Sequence, residues 1–120
     1  MDFLAAMESI GIDTQTVLRR FSGMETLWKK FVFRFPEDPT YSSLEQAVLL
    51  SEDEEIERQA HALKGIAANL GFDLLSQSAD RLVQLIRQHP QGYREMIAKE
   101  WEQLKSCYQE ILNAINCCKQ

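Results

Sequence analysis

The apolar residues of this chain recur every three or four positions, which is the spacing of one face of a helix. The clearest stripe lies in the middle of the sequence and comprises Ile56, Ala60, Leu63, Ala67 and Leu70. No stretch shows the strict alternation of apolar and polar residues that is typical of a half-buried strand. The pattern therefore predicts an all-α protein.

Turn-forming and capping residues divide the first part of the chain into short helices. Gly11 ends a first helical segment, and Asp13 is placed to cap the start of a second helix. A third helix is expected to end before Pro36, and Pro39 is expected near the first turn of the next one. The pattern leaves open whether residues 1–35 form two helices or three.

Longer helices are predicted in the second part of the chain. Ser51–Glu54 matches a capping box, and Gly71 is placed to cap the other end of the helix that this box begins. The next helix is expected to end near His89, and the last to start near Gly92. Because short connections favour antiparallel neighbours, we expect an antiparallel four-helix bundle with additional short N-terminal helices.

Composition narrows the class of protein. The chain has 120 residues, of which 45% are hydrophobic and 26% charged, with a net charge of −5. This length fits one domain with a real core, and we expect residues 1–120 to form it. The negative charge argues against a nucleic-acid binder. No apolar run approaches the roughly 20 residues of a membrane span and no signal peptide is visible, so a cytoplasmic protein is expected.

The cysteines favour neither a disulfide framework nor a metal site. Cys107, Cys117 and Cys118 form an odd, clustered set near the C-terminus, without the spacing of metal ligands. We therefore expect free thiols in a reducing compartment and no bound metal.

One histidine lies on the outward side of the helix with the central apolar stripe. Since a helix turns about 100° per residue, His61 points well away from the centre of the stripe. Its face is shared with Glu57, Gly65 and Ala68, and Lys64 lies between His61 and the edge of the stripe. A glycine inside a helix makes the helix about 1 kcal/mol less stable than an alanine at the same position. This cost is explained if a partner's backbone approaches here.

The pairing of His61 with Lys64 suits phosphoryl chemistry. A neutral, exposed imidazole is a good nucleophile, and a neighbouring ammonium disfavours its charged form. The same ammonium can neutralise the oxygens of a phosphoryl group on the ring. The alternative interpretation is an ordinary surface histidine beside an ordinary surface lysine.

The segment Ala60–Gly71 resembles the signature of histidine-containing phosphotransfer (HPt) domains. It has the order of a His, then Leu-Lys-Gly, then small residues that close with Leu-Gly. More weakly, Ile12–Gly23 and Met24–Phe35 resemble the first segment and the first bundle helix of the family. The resemblance implies a four-helix bundle that exchanges phosphoryl groups with the aspartates of response-regulator receiver domains.

The resemblance also implies roles for the residues around the histidine. His61 would accept and donate the phosphoryl group, Lys64 would hold it, and Gly65 would clear space for the receiver. Glu57 and Ala68 would contribute to the same partner-binding face. Receiver domains and a hybrid sensor kinase are the expected partners of a monomeric carrier. Mg²⁺ would belong to the receiver, so no cofactor is expected here.

The facing helix departs from the family pattern. Family members often place a glutamine near the histidine ring, but the matching position here is Val83, with Gln84 one residue along. Arg87 is expected to add a basic contact at the rim of the docking surface.

Several aromatic residues recur at helical spacing and are predicted to lie in the core: Phe31, Phe35, Trp101 and Tyr108. For Trp28, Phe33 and Phe72, the sequence does not decide between the core and the surface. If they were exposed near His61, they would form part of a hydrophobic docking surface.

Other functional classes fit the sequence less well. The phosphoacceptor helix of a sensor kinase typically has an acidic residue after the histidine and a proline beyond, where this chain has Ala62 and Gly65-Ile66. No Gly-rich ATP-binding segment is present, so a phosphocarrier without kinase activity is expected. A non-catalytic adaptor that docks a signalling partner is the main alternative. A metal or hydrolytic enzyme lacks a second ligand or base spaced with His61, and His89 is expected at a helix end.

Overall fold

The computed structural model describes residues 1–119. They form seven α-helices: α1 (Phe3–Ser9), α2 (Thr14–Arg20), α3 (Glu25–Arg34), α4 (Thr40–Leu49), α5 (Asp53–Leu70), α6 (Asp73–Gln88) and α7 (Tyr93–Cys118). A 3₁₀ turn at Phe35–Glu37 separates α3 from α4. The described residues contain no strand, which confirms the all-α class.

Most of the predicted helix ends are confirmed. The side chain of Asp13 accepts a hydrogen bond from the backbone N–H of Thr16, so it caps α2. Helix α3 ends before Pro36, and Gly71 adopts the left-handed conformation that closes α5. Gly92 precedes α7. The first 35 residues contain three helices rather than two, because α1 and α2 are separate seven-residue elements.

The predicted capping box at Ser51–Glu54 is wrong. Ser51 has a φ of +51°, in the left-handed region, and α5 begins only at Asp53. The backbone N–H groups of Ser51 and Glu52 donate to carbonyls of α4, at Val48 and Ala47. Ser51 therefore terminates the preceding helix, and within residues 1–119 no side chain caps the start of α5.

Helices α4, α5, α6 and α7 pack side by side as an antiparallel bundle. Helix α5 packs mainly against α6, with α4 on its other side, and α6 packs against α7. The bundle closes where Tyr41 of α4 stacks on Tyr108 of α7, with ring centroids 3.6 Å apart. Connections of two to four residues between α5, α6 and α7 impose the antiparallel order.

The short N-terminal helices cover one end of the bundle. Helix α1 packs on α7, and α3 contacts α5. Phe3 and Trp28 are buried and meet edge to face, with ring centroids 4.9 Å apart. Helices as short as α1 and α2 are marginal in isolation, and the burial of their apolar side chains against the bundle stabilises them.

The aromatic predictions are confirmed in part. Phe35, Trp101 and Tyr108 are buried, whereas Phe31 is 42% exposed, so its assignment to the core is wrong. Trp28 and Phe72 are buried in the core and Phe33 packs partly buried against it. These three do not form an exposed surface near His61.

Cys107, Cys117 and Cys118 are free thiols, and only Cys117 is exposed. Among the helices of residues 1–119, none combines the length and the apolar character that a membrane crossing needs.

Candidate functional site

His61 lies near the middle of α5, on the side that faces away from the bundle. The neighbouring stripe residues Ala60 and Leu63 are buried, while His61 and Ala62 are exposed. The orientation follows from the helical period, because the apolar stripe turns inward and carries the imidazole outward. The predicted outward position of His61 is confirmed.

Gly65 leaves a bare patch of helix one turn beyond the histidine. A Cβ atom built on Gly65 would have no heavy atom within 4 Å outside its own helix. The fold itself therefore does not require a glycine here. With Ala62 exposed and Ala68 half-buried, the helix surface beside the imidazole is formed by small residues.

Lys64 pairs with an acidic residue that the sequence analysis did not single out. Its Nζ atom donates a 2.9 Å hydrogen bond to Oδ1 of Asp80 on α6. This hydrogen bond holds the pKa of the Asp80 carboxyl below its ordinary value, with Gln84 adding to the effect. The two side chains are 42% and 39% exposed, so the ion pair lies at the surface between the helices.

Two of the predicted partner-binding residues pair with each other. Nε of Arg87 on α6 donates a 2.7 Å hydrogen bond to Oε2 of Glu57 on α5. The ion pairs and hydrogen bonds on this side join Lys64 to Asp80 and Glu57 to Arg87. In the part of the chain that the structure describes, none of them includes the His61 ring. His61 therefore lies along α5 between two ion pairs.

The two ion pairs show which residues of α5 and α6 lie opposite each other. Seven residues forward along α5, from Glu57 to Lys64, correspond to seven residues back along α6, from Arg87 to Asp80. This antiparallel register puts Val83 and Gln84 at the level of His61. Val83 is buried, whereas Gln84 is half-buried. At this level of α6, Gln84 is thus the polar residue that is partly accessible.

An apolar cleft borders the other flank of the exposed face of α5. Its volume is about 210 Å³, and it is lined by Phe31, Arg34, Phe35, Asp38, Ile66, Asn69 and Leu70. Phe31 is the exposed aromatic ring of this group. The helical spacing of Phe31 suggested core, and no signal in the sequence distinguished it from its buried neighbours.

Arg20 is a second residue that the sequence did not identify. From the end of α2, its Nη1 atom donates a 2.6 Å hydrogen bond to the carbonyl oxygen of Ala68. That carbonyl belongs to the last turn of α5 and also accepts a hydrogen bond from the backbone N–H of Gly71. Arg20 thus adds a cation near Ala68, 48 residues away in sequence.

The second histidine lies outside this face. His89 ends α6 in a left-handed conformation, stacks on Tyr93 with ring centroids 4.1 Å apart, and lies 3.7 Å from Asp53. Its position at a helix end is as predicted. Within residues 1–119, no group of three histidine, cysteine or acidic side chains is arranged to hold a metal ion.

Comparison with known proteins gives one match. The family model of the Hpt domain matches residues 28–114, which include most of α3, all of α4 to α6 and most of α7. No curated protein and no solved structure matches the chain. The matched range contains every predicted site residue, whereas Arg20 lies outside it.

Proposed function

The chain belongs to the Hpt domain family, whose members are phosphocarriers of two-component signalling, and we propose that it carries its phosphoryl group on His61. In this proposal the group is exchanged with aspartates of response-regulator receiver domains. A hybrid sensor kinase is the proposed source of the phosphate.

The observation that supports this most strongly is the setting of His61. Its imidazole is exposed on a rigid helix, beside Gly65, where added side-chain atoms would meet open space. A receiver domain has to bring its own backbone and aspartate close to the ring, and a flat surface of small residues allows that approach. Because the helix is fixed by its buried stripe, the ring is presented with little further loss of entropy.

The chemistry is an in-line displacement at phosphorus. A ring nitrogen of neutral His61 attacks the phosphorus of the receiver's aspartyl phosphate with its lone pair. The bond between phosphorus and the aspartyl oxygen breaks, and its electron pair returns to the carboxylate. The second ring nitrogen still carries its proton when the new bond forms, and the resulting imidazolium then releases that proton to water. Since charge spreads over the phosphoryl oxygens in the transition state, nearby positive charge lowers the barrier.

The proposal assigns that charge in part to Lys64, one turn from His61. Gly65 and Ala68 are proposed to contact the receiver, with Phe31 on one flank and the Glu57–Arg87 pair on the other. Gln84 would lie at the edge of the same surface. Mg²⁺ is expected to be held by the receiver, and the carrier is proposed to act as a monomeric cytoplasmic protein without kinase activity of its own.

The test is phosphotransfer from a panel of phosphorylated receiver domains. We expect acid-labile, base-stable phosphate on the wild-type protein and none on His61→Gln. His89→Gln is the matched control, because it removes the other imidazole, and it should be labelled like the wild type. ATP alone should label none of the three.

The outcome separates the carrier from the adaptor. Labelling that survives His61→Gln, or binding to receivers without any transfer, would contradict the proposed role of His61. Receiver binding without transfer would favour the adaptor function instead.

A further inference from the structure

The ammonium of Lys64 is the positive group proposed to contact a phosphoryl group on His61, yet it already has a partner. Its Nζ atom lies 2.9 Å from Oδ1 of Asp80, on the facing helix. An ammonium has three donors, but one cannot stay close to two anions in different directions without weakening one contact. Asp80 and a phosphoryl group on His61 therefore compete for Lys64.

We propose that Asp80 is a positioning residue that holds Lys64 towards α6 and thereby destabilises the phosphorylated form of His61. The inference rests on the proposed function and adds to it a residue that sets the phosphoryl-transfer equilibrium. An interaction that is stronger in the unphosphorylated state shifts the equilibrium towards that state. Asp80 would thus make the carrier a better phosphoryl donor.

The surroundings of Asp80 favour its charged form. The hydrogen bond from Lys64 lowers the pKa of its carboxyl, and Gln84 and the positive charge of Arg87 act in the same direction. At neutral pH the carboxylate is therefore ionised and available to hold the ammonium. The backbone under the pair is also fixed, because the Ser76 hydroxyl donates a 3.0 Å hydrogen bond to the carbonyl oxygen of Lys64.

The size of the effect follows from the exposure of the pair. Both side chains are about two-fifths exposed, so water screens their attraction. Ion pairs of this kind change equilibria by roughly two- to fivefold. Removal of the Asp80 charge should therefore raise the equilibrium phosphorylation of His61 by about that factor.

The experiment uses phosphoramidate as the phosphoryl donor, so that no receiver is needed. A ring nitrogen of His61 forms a bond to phosphorus while the phosphorus–nitrogen bond of phosphoramidate breaks. Ammonia leaves with the electron pair of that bond and takes up the proton that the phosphorylated imidazolium releases, which gives ammonium. With ammonium chloride added, the fraction of phosphorylated protein at equilibrium gives the equilibrium constant by intact-mass analysis or ³¹P NMR. We expect Asp80→Asn to raise this constant and Asp80→Glu to restore it towards the wild-type value.

Two further variants test whether Asp80 acts through Lys64. In a Lys64→Ala background, Asp80→Asn should have little effect, because the competition is gone. Glu102→Gln is the matched control: it removes a carboxylate that pairs with Lys105 on α7, and it should leave the constant unchanged. Circular dichroism should show that all variants are folded.

The results distinguish the role of Asp80 from the role of His61. If wild-type protein is phosphorylated on His61 but Asp80→Asn has no effect, lowers the constant, or acts equally without Lys64, the inference about Asp80 is overturned. If phosphoramidate does not label His61 at all, the proposed function itself fails.

Discussion

The indole N–H of Trp28 on α3 donates a 2.9 Å hydrogen bond to the carbonyl oxygen of Leu70, the last residue of α5. Trp28 is fully buried and Leu70 nearly so. The carbonyls in the last turn of a helix have no partner within the helix, so this bond satisfies an acceptor that would otherwise be buried alone. It also joins the N-terminal helices to the helix that carries His61.

Replacement of this donor should destabilise the fold without affecting the chemistry of His61. Trp28→Phe keeps an aromatic ring but leaves the Leu70 carbonyl unsatisfied and a small cavity behind. We expect a loss of about 2–4 kcal/mol in the free energy of unfolding. Urea denaturation measures the loss, and phosphoramidate labelling of His61 under native conditions should be unchanged. A loss below about 0.5 kcal/mol would contradict the importance of this hydrogen bond.

At Gly71, both the backbone conformation and the space around the Cα atom favour glycine. Its φ of +90° is strained for any other residue, and a Cβ there would lie 2.5 Å from Cγ2 of Val17 on α2. Gly92 has a similar φ of +77° but no heavy atom within 4 Å of a Cβ. Gly92→Ala should therefore cost about 1–2 kcal/mol of stability, from backbone strain alone.

Gly71→Ala should cost about 1–3 kcal/mol more than Gly92→Ala, because the added methyl group displaces Val17 as well. Thermal or urea unfolding of both variants gives the difference. Equal losses would show that α2 moves away freely, and that the contact between Gly71 and Val17 contributes nothing measurable.

Replacement of Gly65, unlike that of Gly71, should stabilise the fold. Since a side chain at Gly65 meets open space, Gly65→Leu should stabilise the helix, by up to about 1 kcal/mol. The same side chain should obstruct a receiver and weaken its binding at least tenfold, as measured by calorimetry. Ala98→Leu adds comparable bulk at an exposed position of α7 and should leave binding intact. Unimpaired binding by Gly65→Leu would exclude this face as the docking surface.

The start of α5 should make stability depend on pH. Partial burial of Asp53 tends to raise the pKa of its carboxyl, but the ion pair with Arg94 and the hydrogen bond from Tyr93 together lower it below the ordinary value. A carboxyl whose pKa is lowered in the folded state stabilises the fold above its unfolded pKa, which is about 3.9. That stabilisation is lost as the pH falls through the lower, folded pKa.

Asp53→Asn should consequently lower the free energy of unfolding at pH 7 by about 1 kcal/mol. The difference from the wild type should shrink as the pH is lowered below about 4. Glu54→Gln removes an exposed charge from the same helical turn and should have a smaller effect. A difference between Asp53→Asn and the wild type that stays constant from pH 7 to pH 2 would contradict this account of Asp53.

Local signals predicted the positions of the helices well, and their failures have local causes too. Asp13 and Gly71 act as predicted because a cap depends on residues a few positions away. The prediction for Ser51 was wrong because this residue lies between two helices. It terminates α4 and does not cap α5. The prediction that Phe31 is buried was wrong because helical spacing does not show which of several aromatic residues the neighbouring helices cover.

The sequence by itself determined the helical class, the inward stripe of α5 and the outward position of His61 and Gly65. All of these follow from the 3.6-residue period, which a single helix already possesses. Only the tertiary structure decided that Lys64 pairs with Asp80, that Glu57 pairs with Arg87, and that Arg20 reaches Ala68. These contacts join residues 16 to 48 positions apart, and they depend on how the helices are placed against one another. The register of α5 against α6 is fixed by the packing of buried side chains over their whole length, which no short segment encodes.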